Sequence, residues 1–347
     1  MRSSVELQLS IHQRDLPLKH PFTISRSSIT TQPTVIVELS DGTHSGFGEA
    51  TTNDYYGMTG QRIVGAVESL RCEIESVTQL DPVQLWTQLS TRLPDDPFAI
   101  CAIDQAAYDL WGKQLNAPVH QLWNLNIDHL PVSNFTIGID TVDNMIKKLQ
   151  EVPDWPVYKI KLGTADDLKI ITELRQHTTA TFRVDANCGW AVDETIANAL
   201  QFRELGVEFI EQPLPAEDID GSMHVYQQSV LPIMADESCI TESDVQACKN
   251  RFHGVNIKLV KGGGLTPARR MIRQARLLNL KVMVGCMTES TVGISAIAQL
   301  LPLLDYVDMD GAELLAEDIA NGARVEQGKC KYSQLPGSGV ELLPAKR

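Results

Sequence analysis

The sequence is poor in several features whose absence narrows what it can be. Its seven cysteines (Cys72, Cys101, Cys188, Cys239, Cys248, Cys286 and Cys330) are odd in number, scattered and without a C-x-x-C pair. That argues against a disulfide framework or a cysteine zinc site and fits reduced thiols in the cytosol. No window holds about 18 charge-free apolar residues, so no membrane-spanning helix is expected. The opening residues, MRSSVELQLSIHQRDL, lack an uninterrupted apolar stretch of the kind a secretory signal needs, and a cytoplasmic location is expected. There is no basic stripe, and the net charge is −14, which argues against nucleic acid or an anionic membrane as partner and leaves small molecules. Low-complexity runs are also missing, so the chain is expected to fold nearly throughout.

What is present falls into two patterns. Residues 5 to 50 alternate apolar and polar, as in VELQLSIH and TVIVELSDG, and carry the turn SDGTHSG. They predict a three-strand antiparallel meander. The segment 98–123 has helical apolar spacing up to Asn116-Ala117-Pro118, where one helix should end and another begin. From about residue 131 the pattern becomes strand and helix in alternation, with strands VSNFTI, VYKIK, FRVDA, EFIEQ, IMADE, VNIKL, KVMVG and YVDMD. Eight such units predict an α/β fold, a (β/α)8-type barrel with an N-terminal α+β capping domain. The competing doubly wound sheet lacks its signature, because no G-x-G-x-x-G follows the first strand. The expected division is a cap over 1–125, a barrel over 126–318 and a C-terminal segment, 319–347, returning to the cap.

In VYKIKLG (157–163), Lys159 and Lys161 are two apart on a strand and project to one face. Two ammonium groups on a buried face are costly unless negative groups stand nearby or one loses its proton. The ends of the following strands supply those groups. Lys161, Asp185, Glu211, Asp236 and Lys261 succeed one another at intervals of 24, 26, 25 and 25 residues. Each interval is about one βα repeat, which puts all five at the barrel rim where active sites of this fold are built. Any one of these acids could be an ordinary helix N-cap; five in register is a stronger pattern.

Asp185, Glu211 and Asp236 offer three hard carboxylate oxygens without His or Cys, which suits one Mg²⁺ and disfavours zinc. A divalent cation beside a second ammonium would lower the pKa of Lys161 from roughly 10.4 toward neutrality and make it a base, with Lys159 tuning it. Lys261, four strands away in the ring, would then serve the opposite face of an α-carbon: one lysine removes a proton and the other returns it. That pattern is racemisation. Regular alternation puts Lys258 on the other strand face from Lys261, as a structural residue. The Gly262-Gly263-Gly264 run reads equally as a turn close to substrate or a plain loop into a helix.

These residues resemble the enolase superfamily, in its muconate-lactonising-enzyme-like subgroup. The likeness covers nearly the whole chain through GFGEA, YYGMT, KIK, DANCGW, EQPL, ADES, NIKLVKGGGL, GCMTES and GSGV. It implies Mg²⁺ at Asp185, Glu211 and Asp236, acid and base roles for Lys161 and Lys261, and enediolate chemistry. Within the subgroup the same constellation implies dipeptide epimerases, N-acylamino acid racemases, o-succinylbenzoate synthases or muconate cycloisomerases. The pair Asp308 and Asp310 in DYVDMDG resembles the acids with which dipeptide epimerases hold a free α-ammonium. Arg26 in PFTISRSS resembles an arginine used on a glutamate side chain. The expectation is therefore a dipeptide substrate of L-Ala-Glu type. The synthase, the N-acylamino acid racemase and a non-catalytic binding barrel stay open, as do homo-oligomerisation and the roles of His20, Tyr55 and Glu289.

Overall fold

Alternation in the first fifty residues produces an antiparallel sheet of β1 (Gln8–Ile24), β2 (Ser27–Ser40) and β3 (Ser45–Thr51), in that order. The structure is a computed structural model and describes residues 6–344; the ends of the expected cap and tail, 1–5 and 345–347, lie outside the described residues. The sheet packs on the helix Pro97–Gln114, which starts with proline at its first turn, where a missing N–H costs nothing. Gly46 and Gly48 of the GFGEA motif allow this contact. A Cβ at Gly48 would lie 2.0 Å from the carbonyl oxygen of Ala102, and one at Gly46 would lie 2.3 Å from that of Ala106.

The eight expected barrel strands form one parallel sheet in sequence order. They are β4 (Phe135–Ile137), β5 (Val157–Lys161), β6 (Thr181–Asp185), β7 (Val207–Glu211), β8 (Ile233–Ala235), β9 (Gly254–Lys258), β10 (Lys281–Gly285) and β11 (Tyr306–Asp308). A parallel bridge between Ser133 and Val307 joins the first strand to the last and closes the ring. Every residue of β5 and β9 is buried, as a strand covered on both faces requires. No described helix is long and apolar enough to cross a membrane.

Three contacts dock the cap on the barrel. Glu49, on β3, accepts hydrogen bonds from Ser290 N, Ser290 Oγ and Gly293 N at the start of the helix Thr291–Ala298, where a carboxylate meets unpaired amides. Asp104 accepts from Thr266 N and Thr266 Oγ1, and Trp86 Nε1 donates to the Gly263 carbonyl. The last two contacts explain the glycine run. Gly264 has φ 117°, and a Cβ there would lie 2.7 Å from Asp104 Cβ, so these glycines serve the approach of the cap. The C-terminal segment returns to the same cap helix: Ser338 N donates to Asp109, and Lys113 Nζ to the Val340 carbonyl.

Candidate active site

Strand register sets the site. Lys161 pairs with Asp185, Asp185 with Glu211, and Gly285 with both Lys258 and Asp308. Inward-facing groups at the carboxyl ends of β5, β6, β7, β9 and β11 therefore stand at one height, with Asp236 one residue beyond β8. They open into a cavity of about 620 Å³ between barrel mouth and cap. Its walls include Lys159, Lys161, Asp236, Lys258, Asp308 and Asp310 from the barrel, and Arg26, Tyr55 and Tyr56 from the cap.

Asp185, Glu211 and Asp236 are completely or almost completely buried, and one oxygen from each lies within 4.8 Å of the others. Lysines surround them. Lys161 Nζ donates to Asp185 Oδ2 at 2.7 Å. Lys159 Nζ lies 3.1 Å from Asp185 Oδ2, 2.8 Å from Glu211 Oε2 and 2.8 Å from Asp308 Oδ2. Lys258 Nζ lies 2.9 Å from Asp236 Oδ2. Burial pushes the Lys159 ammonium down, but Asp308, Glu211 and Asp185 outweigh it and hold its pKa well above the ordinary value. Burial raises Glu211 to about 7 against the pull of Lys159, with Asp185 and Asp236 adding to the rise. Glu211 Oε2 has its ion pair with Lys159 but no aligned hydrogen bond. Three buried carboxylates that each bring an oxygen within 4.8 Å of the others, with no His or Cys among them, fit a Mg²⁺-type cation.

The sequence expectation for the sixth strand needs correction. β9 ends at Lys258 and the chain turns at once into the short helix Leu259–Gly262, so strand alternation does not extend to Lys261. Asn256 and Lys258 face inward: Asn256 Nδ2 donates to Glu211 Oε1 at 2.7 Å, and Lys258 lines the cavity. Lys261 is 1% exposed and does not line it. Its ammonium sits behind Asp236, donating to Asp236 O and Oδ1, each at 2.5 Å, and to the Cys239 carbonyl. The signal in the sequence was the shared ending of KIK and NIK, which marks the last inward lysine of each strand.

Asp308 and Asp310 both reach the cavity. Asp308 accepts from Asn134 Nδ2 and Lys159; Asp310 accepts from Thr136 N and Oγ1. Burial raises Asp308, but Lys159 overcomes it and holds the carboxyl low, whereas burial and the neighbouring Asp308 hold Asp310 well up. Asn134 and Thr136, neither singled out from the sequence, support this pair. Arg26 enters from the cap already engaged. Its Nη2 donates to Glu237 Oε1 at 2.7 Å, its Nη1 to the Asn187 carbonyl at 3.1 Å, and its guanidinium stacks 4.2 Å over the Tyr55 ring. His20 pairs with Glu151 away from the large cavity. Glu289 is buried behind that cavity, held by Met287 N, with Oε2 unpartnered. Glu237, which follows the third acid in ADES, gave no signal beyond its motif.

A capped parallel barrel with three acids between lysines at its mouth has the form of an enzyme active site of the (β/α)8 class. The chain belongs to the enolase superfamily: residues 7–123 match the mandelate racemase / muconate lactonizing enzyme N-terminal domain, and residues 144–346 the enolase C-terminal domain-like family. An L-Ala-D/L-amino acid epimerase of a Maribacter species is 56% identical over 97% of this chain and 99% of its own. One from Flavobacterium johnsoniae is 53% identical over 97% of this chain and all of its own. The dipeptide epimerase of Enterococcus faecalis, solved with Mg and the dipeptide L-Leu-L-Tyr, superposes with a TM-score of 0.91 at 26% identity, covering 96% of this chain and 99% of that one.

Proposed function

We propose that this protein is an isomerase that epimerises dipeptides at the α-carbon of the C-terminal residue, with L-alanine first and Mg²⁺ bound at Asp185, Glu211 and Asp236. Two relatives more than half identical to it carry the name L-Ala-D/L-amino acid epimerase. The observation that carries the reading is the placement of Lys161 and Lys258. They come from β5 and β9, four strands apart in the ring, line one cavity, and each touches an acid of the same cluster. One of the two lysines takes the α-proton from one face and the other gives a proton to the opposite face, and the roles exchange in reverse. When bound, Mg²⁺ would supply positive charge against the negative charge that builds on the substrate carboxylate as the α-proton leaves. Lys159, held protonated by its three acids, keeps Asp185, Glu211 and Asp308 in place.

Asp308 and Asp310 would receive the free α-ammonium, which an N-acylated or amine-free substrate lacks. Arg26 is the group that a glutamate side chain would meet. Because Glu237 already shares its guanidinium, the second residue of the substrate need not be acidic, and L-Ala-D/L-Glu is one member of a wider set. The test is a library of L-Ala-Xaa dipeptides incubated with enzyme and Mg²⁺ in D₂O and read by mass spectrometry and chiral separation. One deuterium per inverted carbon is expected. Absence of exchange from every dipeptide, or faster turnover of N-acetylated amino acids, sinks the reading.

A further inference from the structure

Beside the large cavity lies a second one, of about 160 Å³, on the seam between cap and barrel. The two cavities have three wall residues in common: Phe22, Thr136 and Leu314. Thr136 ties this shared wall to the ammonium site, because its N–H and hydroxyl both bond Asp310. Resting on the dipeptide reading above, the Cβ of the first residue sits only two bonds from the nitrogen held there, roughly 2.5 Å away. The first residue's side chain therefore begins within reach of this wall.

The wall is held in place from both sides. Phe22 packs on Gly138, where a Cβ would lie 3.4 Å from its ring, and the adjoining Ile139 N donates to the Thr23 carbonyl at 2.8 Å. Leu314 is fixed by the hydrogen bond from Lys19 Nζ to the Glu313 carbonyl, the bridge between Leu18 and Leu315, and Ala316 N bonding the Pro17 carbonyl. Behind them the second cavity has further apolar walls from Phe135 and Val152, with Lys19 and Glu151 among its polar groups.

We propose that Phe22 and Leu314 set the size of the dipeptide's first residue, and that the second cavity is space the wild-type partition denies to it. Small side chains stop at the wall. A branched aliphatic side chain is held back until the partition is trimmed, and then enters a chamber of about 160 Å³ with apolar walls at Phe135 and Val152. The three contacts around Leu314 hold its backbone, so shortening the side chain opens the passage without releasing the segment.

The test compares kcat/KM for L-Ala-L-Leu and L-Leu-L-Leu in wild type, Leu314→Ala and Phe22→Leu, by α-deuterium exchange. Using the ratio of two substrates in each protein cancels any general loss of activity. The wild-type ratio should favour alanine at least tenfold, and Leu314→Ala should shift it toward leucine at least tenfold; should Leu314→Ala fail to fold, Phe22→Leu supplies the same readout with a smaller shift. Equal wild-type turnover of the two dipeptides, or a ratio unmoved in a folded variant, overturns the proposal while leaving the epimerase reading intact. Loss of the parent reading looks different: no dipeptide exchanges in any protein.

Discussion

Four lysines near one cluster of acids have four different surroundings, and substitution should separate them. Lys161→Ala and Lys258→Ala should each abolish epimerisation, while either can retain exchange of the α-proton from a single epimer, since each lysine serves one face. If either variant interconverts both epimers at close to the wild-type rate, the two-base assignment fails. Lys261→Met should behave in another way. It removes a fully buried ammonium from the Asp236 and Cys239 carbonyls and from one oxygen of Asp236, a change that costs about 3–5 kcal/mol when a buried ion pair is broken. Melting temperature should fall, yet the protein that remains folded should still exchange protons from both epimers; loss of exchange with unchanged stability would restore Lys261 to the chemistry. Arg26→Met should lower kcat/KM for L-Ala-L-Glu by about tenfold, the lower end for a charge-assisted contact because Glu237 shares the guanidinium. An unchanged L-Ala-L-Glu rate would remove Arg26 from substrate recognition.

Among the elements, β3 and the helix Pro97–Gln114 make the tightest approach that the sequence announces. Gly48→Ala would drive a methyl into the Ala102 carbonyl, and overpacking of this kind costs about 1–3 kcal/mol. Gly65, in the helix Gly60–Ser69, has open space within 4 Å of the point a methyl would occupy, so Gly65→Ala should instead stabilise by up to about 1 kcal/mol. Thermal melts of the two variants should move in opposite directions. The segment joining β10 to its helix carries a pH dependence. Burial raises Glu289 to about 8, with Glu49 adding to it. The folded state therefore keeps a proton that the unfolded chain releases near its ordinary carboxyl value. Stability from this group is present below that value and declines as pH rises toward 8. Glu289→Gln should flatten the fall in melting temperature across this range; an identical slope in both proteins would place the proton elsewhere.

For the whole molecule, the decisive measurement concerns the metal. On the proposed function, the three acids converging from β6, β7 and the end of β8 would hold a divalent cation only in the folded barrel, so Mg²⁺ should raise the melting temperature by mass action. EDTA should abolish activity and added Mg²⁺ restore it. Glu211→Gln should weaken both effects, because it neutralises one of the three clustered carboxylates. Full activity after exhaustive chelation would rule out the metal-dependent reading. The cap takes part through its own contacts, since Glu49 and Asp104 bind barrel helices while Arg26, Tyr55 and Phe22 reach the cavity.

Periodic information was legible in the sequence. Eight strand-and-helix units, the antiparallel meander and acids spaced by one repeat all follow from local alternation and repeat length, which a linear chain records directly. The convergence of Asp185, Glu211 and Asp236 follows from the same spacing, because equal intervals around a closed ring bring strand ends to one mouth. Relations that depend on where a strand stops were not recorded in that way. Lys258 and Lys261 are three residues apart, and the choice between them turns on the chain leaving β9 at Lys258 and coiling into a helix. Likewise the engagement of Arg26 by Glu237, 211 residues later, and the wall shared by Phe22 and Leu314 join segments distant in the sequence. Local residue chemistry determined which groups could act; only the tertiary structure, through the ends of the barrel strands and the packing of cap against barrel, decided which of them line the cavity, because burial and ion pairing depend on neighbours brought together by the fold.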